Sequence, residues 1–209
     1  MKTLMKILFV LWITGGLTAC ALGGKPVVMV EQYALEYAPP SVQNLSPIDG
    51  VIGVDRFSVS QIFNHVKMIY RQKPTLYNDY AYHRWRANPG DMVGDSLLRD
   101  LRAAGVFKSV FSWRDMENAS FILKGGVGEF YESDETDGRK AILSVNITLM
   151  DATQKEFTKQ VIFQKNYRHE EPVTVKTVQG FAQAMSRAVE KLSGQVIMDV
   201  HEAMKNRKQ

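Results

Sequence analysis

Residues 140–151 leave the chain little freedom. Leu143, Val145, Ile147 and Leu149 fall on one face, and Ser144, Asn146 and Thr148 on the other. A period of two describes a strand with one side in a core and one in water. A lone strand is not stable, so partners are required, and the flanking sequence offers two. Upstream, residues 119–133 carry a long strand pattern with glycines in the middle. The turn Asp134-Glu135-Thr136-Asp137-Gly138 ends in the Asp-Gly pair that favours a tight hairpin. Downstream, Asp151-Ala152-Thr153-Gln154 reads as a turn, and residues 156–168 place Phe157, Val161, Phe163 and Tyr167 on one side. The expectation is an antiparallel three-stranded ribbon with one wet face.

The ribbon needs a cover. Residues 175–204 supply an apolar stripe of Val178, Phe181, Met185, Ala188, Val189, Leu192, Val196 and Val200. Gln183, Arg187, Glu190 and Lys191 lie opposite, as on a helix lying over a sheet. A second helix is expected over 91–104, with Asp91 as N-cap, Met92, Leu97, Leu98, Leu101 and Ala104 in phase, and Gly105 as its stop. The rest of the first half reads as short strands over 27–37, 51–60, 68–71, 80–85 and 106–113. In the first, Met29, Tyr33, Leu35 and Tyr37 share a side. In the fourth, Tyr80, Tyr82 and Arg84 share a face and His83 and Trp85 take the other. In the last, Val110 and Phe111 are expected inside. Helices interleaved with strands give an α/β layered domain.

A different grammar rules the N-terminus. Lys2 and Lys6 flank the start of a short apolar core, residues 7–13, far below the roughly 20 residues that cross a bilayer. Thr14, Gly15 and Gly16 break it, and Leu17-Thr18-Ala19-Cys20 follows. This is the layout of a secretory signal over residues 1–19. Leucine three before the cysteine and alanine one before it also fit a bacterial lipobox. In such signals the thiol gains diacylglycerol, the chain is cut before the cysteine, and the new amine is usually acylated. Cys20 is the chain's one cysteine and the expected lipidation site. More than one acyl chain anchors durably, at about 0.8 kcal/mol per buried CH₂. Ala21, where an aspartate would favour inner-membrane retention, favours the periplasmic face of the outer membrane. Residues 20–26 then form a lipidated leash, 27–204 the domain, and 205–209 a charged tail.

Reactive chemistry is sparse. Losing Lys2 and Lys6 with the signal lowers the net charge from +4 to +2, which argues against a nucleic-acid partner. Gly125-Gly126-Val127-Gly128 has strand pattern on both sides, so it permits a bulge or close packing rather than a phosphate loop. His65, His83, His169 and His201 lack zinc spacing, so neither a metal nor a cofactor is expected. No G-x-S-x-G elbow is present, and lipidation would consume the thiol. The carboxylate run Glu129, Glu132, Asp134, Glu135 and Asp137 reads as a solvated hairpin tip, without the spacing of a calcium loop. Tyr77, Tyr80, Tyr82 and Trp85 form an aromatic string, with Trp85 read as core. No catalytic residue is expected, and no enzyme.

Four stretches then stand in a telling order behind the lipobox: IGVDRFSVSQIFNHVKMIYR (52–71), YAYHRW (80–85), PGDMVGDSLLRDLRAAGVF (89–107) and ILKGGVGEFY (122–131). Together they resemble the ABC-type transport auxiliary lipoprotein component family, the group that includes the paraquat-inducible lipoprotein C. The resemblance spans residues 29–203 and rests on order, since no single motif is specific. It implies a three-layer single domain with a mixed, largely antiparallel sheet covered by helices, similar to anticodon-binding-like and TolB N-terminal architectures. It also implies a role beside ABC transporters that carry an MCE-type (mammalian cell entry) lipid-binding subunit. Only Cys20 matches a functional position. On this reading the domain docks to an MCE-family protein and ABC transporter subunits, singly or as a homo-oligomeric ring, with Tyr80, Tyr82, His83 and Arg84 as the candidate surface. The rival is a structural or assembly lipoprotein of a cell-envelope complex or outer-membrane pore. Neighbouring ATPase, permease and MCE genes would separate the two.

Overall fold

The computed structural model describes residues 28–42, 45–136 and 138–207. The signal, Cys20, the leash and the last two residues of the expected tail lie outside them. In chain order the strands are β1 (Glu31–Tyr33), β2 (Ile48–Val54), β3 (Ser58–Val59), β4 (Lys67–Lys73), β5 (Leu76–Trp85), β6 (Phe107–Ser112), β7 (Phe121–Glu135), β8 (Gly138–Asp151) and β9 (Val161–Pro172). The helices are α1 (Pro89–Ala104), the single turn α2 (Phe157–Gln160) and α3 (Val178–Asn206). The nine strands form one mixed sheet, the α/β class expected. Among the described residues no helix is long and apolar enough to cross a membrane.

The long strand β7 organises the sheet. On one edge it pairs antiparallel with β8 over its whole length, from Phe121↔Asp151 to Glu135↔Gly138, and β8 pairs antiparallel with β9. This is the ribbon read from the period-two pattern. Gly138 closes the hairpin at φ 102°, a conformation glycine adopts without strain. On the other edge β7 meets three short parallel strands end to end: β2, then β3, then β4. Beyond them β2 pairs with β6, and β4 pairs with β5, which takes β1 on its far side.

The glycine cluster explains part of this broken edge. Between β2 and β3, Phe57 turns inward, and a Cβ on Gly125 would overlap its ring. The register between β7 and β8 shifts just after Val127. Close packing and a bulge, the two structural roles expected of these glycines, are both present.

Helix α3 lies over β8 and β9 and also meets α1. Phe181, Met185, Ala188, Val189, Leu192, Val196 and Val200 are buried, as the stripe requires. Thr177 caps it by accepting the Gly180 amide at 3.0 Å. The helix runs two residues past the expected Met204, and Arg207 then donates to Asp151 at 2.6 Å. Trp85 is 1 % exposed and sits edge-on to both Phe130 and Phe181 at 5.2 and 5.5 Å.

Four local expectations differ. Helix α1 starts at Pro89, and its N-cap is Asn88, which accepts the Gly90 amide at 3.0 Å; Asp91 lies inside the first turn. Proline at the first helical position costs no hydrogen bond and has a suitable φ, so it favours the earlier start. Residues 157–160, expected as strand, form a helical turn that Gln160 ties to the Gln154 carbonyl at 2.9 Å, leaving Val161 exposed. The first strand shrinks to β1, with Met29 in solvent; Tyr33, Leu35 and Tyr37 do pack on the core, and the Tyr37 hydroxyl donates to Asp100 at 2.7 Å. Val110 is buried, but Phe111 only half so.

Candidate functional site

The candidate strand β5 presents less surface than its sequence suggests. Its pairing with β4 slips between Lys67↔Arg84 and Ile69↔Asp79, which breaks the two-residue period. Tyr80 and His83 therefore share a side, with rings 6.0 Å apart, rather than opposing each other. Tyr80 packs on Tyr70 at 4.8 Å. His83 sits 3.3 Å from Glu31. The Arg84 guanidinium donates to the Tyr80 and His83 carbonyls, so it braces the slipped backbone. Of the four, Tyr82 is the exposed one, at 53 %.

Below Tyr80 lies a polar knot that includes part of the expected hairpin tip. Glu132 is fully buried, not solvated. Its carboxylate accepts the Tyr80 hydroxyl and lies 3.0 Å from Arg139 Nε. Arg139 also donates to Tyr80 at 3.0 Å and approaches Asp134 at 3.4 Å. Burial pushes the Glu132 carboxyl above its usual range, opposed by Tyr80 and Arg139. Burial, followed by Glu132, pushes the Tyr80 phenol up as well. Glu132 stays in phase with Phe130, two residues away, and that phase is the signal its charge concealed. On the other side of the strand Arg71 pairs with Glu135 at 2.7 Å and lies 4.8 Å from the Tyr131 ring centre. The rest of the carboxylate run is likewise paired where described, with Glu129 2.8 Å from Arg168.

A second region is concave. A cleft of about 470 Å³ opens where β2 and β6, adjacent and parallel, both end. The first half of α1 forms its third side. Crevices at the carboxyl ends of parallel strands are where open α/β sheets bind ligands. Arg56 leaves β2 and grips Asp91 of α1 through two hydrogen bonds of 3.0 and 3.2 Å. Asp91 thus serves this ion pair rather than the helix cap. Asp95, one turn on, has its carboxyl raised by burial and then by Asp91. After β6, Trp113 is 46 % exposed, and the Arg114 guanidinium lies 5.0 Å from its ring centre. Asp55 and Arg56 read from sequence only as the wet end of a strand.

Among the described residues, no three His, Cys, Asp or Glu side chains are grouped to hold a metal ion. His201 bonds Ser46, while His169 faces Lys191 and Gln195 of α3.

In structure the chain is similar to a crystal structure of a Xanthomonas campestris protein of the DUF330 family. The TM-score is 0.77 at 15 % identity, over 86 % of this chain and 99 % of that one. It is also similar to an uncharacterized protein (TM-score 0.65, 11 % identity, 82 % and 99 % covered). A hypothetical protein from Chlamydia trachomatis follows (0.50, 9 %, 75 % and 98 %). At such identities the likeness concerns the fold. No curated protein matches the chain in sequence. A family model does, over residues 33–197, and that span contains the whole of the sheet beyond β1, helix α1, α3 as far as Ile197, and the cleft. The chain belongs to the ABC-type transport auxiliary lipoprotein component family.

Proposed function

We propose that this chain is the outer-membrane-anchored, periplasmic auxiliary lipoprotein of an MCE-type ABC transport system. It serves the movement of lipid between inner and outer membranes by docking, without catalysis. Cys20 carries the acyl anchor. The observation that carries the reading is the family match over residues 33–197 behind the lipobox Leu17-Thr18-Ala19-Cys20. Chain length supports it. Val28 lies eight residues after Cys20, a reach of at most about 28 Å, so the domain stays close to the membrane that holds its lipid. Tyr82 and Leu76, both about half exposed on β5, are the apolar part of the candidate docking edge.

The test combines anchoring with partnership. Labelled palmitate enters the parent chain and not Cys20→Ser, and the parent fractionates with outer membranes. Purification of the parent from crosslinked envelopes recovers an MCE protein, and Tyr82→Asp reduces that recovery. A parent that takes up no palmitate, or that recovers a pore or scaffold complex in place of transporter subunits, overturns the reading.

A further inference from the structure

We propose that the cleft between Phe57 and Trp113 receives a lysine or arginine side chain of a partner protein. The floor is apolar, built from Val54, Phe57 and Leu98. The rim carries Asp55, Asp91 and Asp95. A long basic side chain has this same division, an aliphatic stem and a charged head.

Charge selects the occupant. Arg56 and Asp91 neutralise each other. Asp55 accepts only the amide of Arg56 at 2.7 Å among the described residues. Asp95 has no hydrogen bond or salt bridge there. Against these two carboxylates stands one guanidinium, that of Arg114, which lies over the indole. The cleft is therefore net negative, in a chain whose formal charge is +4 with its signal and +2 without Lys2 and Lys6. An anionic group would meet Asp55 and Asp95 with Arg114 alone to offset them, a balance of one negative charge. A cationic head gains Asp95 and the aromatic wall, since indole faces attract guanidinium and ammonium groups. The cleft already shows both contacts with its own residues: Arg56 forks onto Asp91, and Arg114 stacks on Trp113. Exposed tryptophan beside arginine is also the composition that dominates the energetics of protein interfaces.

The proposal rests on the domain being a docking module, but not on which transporter it serves. Its test uses the mature chain carrying Cys20→Ser. That chain keeps two tryptophans: Trp85, 1 % exposed, and Trp113, so a change in exposed-indole emission reports on the cleft. The probes are blocked pentapeptides alternating alanine with arginine, with lysine or with glutamate. The arginine and lysine peptides give a saturable emission change that weakens as salt rises, and the glutamate peptide gives none. Asp95→Asn weakens the arginine peptide about tenfold. Asp55→Asn, an independent change on the same rim, also weakens it, while Asp115→Asn outside the cleft leaves it unchanged. Saturation by the glutamate peptide, no saturation by any peptide into the millimolar range, or unchanged affinity in both rim variants overturns the proposal. Such a failure leaves palmitate labelling and MCE recovery untouched, and their failure leaves the peptide result untouched.

Discussion

The two edges of β7 solve one problem in opposite ways. Towards the ribbon, a single strand of 14 residues satisfies the whole edge. Towards the other side, strands of seven, two and seven residues share it in parallel. The continuous edge places few chain ends inside the sheet and accepts one long helix across it. The broken edge has a connecting segment at each junction, and the first of them carries Asp55 and Arg56 to the surface. Asp55, Arg56 and Phe57 form one such junction, and the cleft lies against it. An unbroken ladder supplies core, whereas an interrupted one supplies surface with a shape. Connecting segments positioned by a rigid scaffold are where binding residues concentrate.

The largest effect should therefore come from the continuous side. Phe181→Ala removes a fully buried ring that contacts Trp85 beneath α3. A loss of about 3–5 kcal/mol is expected in urea unfolding, with the cooperative transition retained. A loss under about 1 kcal/mol would mean that α3 is not the main cover of the ribbon.

The broken side is sensitive to volume rather than to lost area. Gly125→Ala puts a methyl group where the Phe57 ring lies. Overpacking of this kind costs about 1–3 kcal/mol. In a Phe57→Ala background the same change should cost much less, because the ring it collides with is gone. A double-mutant cycle by urea melts reads that difference as a coupling energy. Additive costs would show that Gly125 is needed for backbone shape and not for Phe57.

The same contrast governs what sequence alone reveals. The ribbon and α3 are legible because Leu143 to Leu149 and Phe181 to Val200 keep one unbroken period each. On the other side the period fails where structure becomes particular. The slip between Lys67↔Arg84 and Ile69↔Asp79 moves Tyr80 to the side of His83. No composition signal marks that slip. At the start of α1 two good caps compete, Asn88 and Asp91, and Asp91 is taken by an arginine far away in sequence. The cleft unites residues 55–57 with 112–114 only through the parallel pairing of β2 with β6, a long-range choice that local pattern does not encode. Cys20 is the reverse case. Its proposed role is read entirely from a linear motif.

The smallest effects are in acid–base behaviour, and there the two sides should differ in sign. On the ribbon, burial holds the His169 imidazole below its usual pKa of 6.5, only partly offset by Glu171. The unfolded chain then binds the proton more readily, so His169 lowers stability as pH falls from about 6.5 towards its folded value. Towards the broken side, burial raises the Glu132 carboxyl above 4.5. The folded chain holds that proton more tightly, so the contribution of Glu132 is fully present below pH 4.5 and is lost as pH rises through its folded value. His169→Gln should flatten the stability profile on the acid side of 6.5. Glu132→Gln should gain on the parent as pH rises from 4.5, while still giving Tyr80 an acceptor. The readout is the slope of unfolding free energy against pH, since Glu132→Gln also leaves Arg139 with Asp134 as its remaining carboxylate. Equal slopes in parent and Glu132→Gln would mean that Tyr80 and Arg139 just cancel burial, and a parent that gains on Glu132→Gln as pH rises would mean that they outweigh it and that the knot is an ordinary stabilising ion pair.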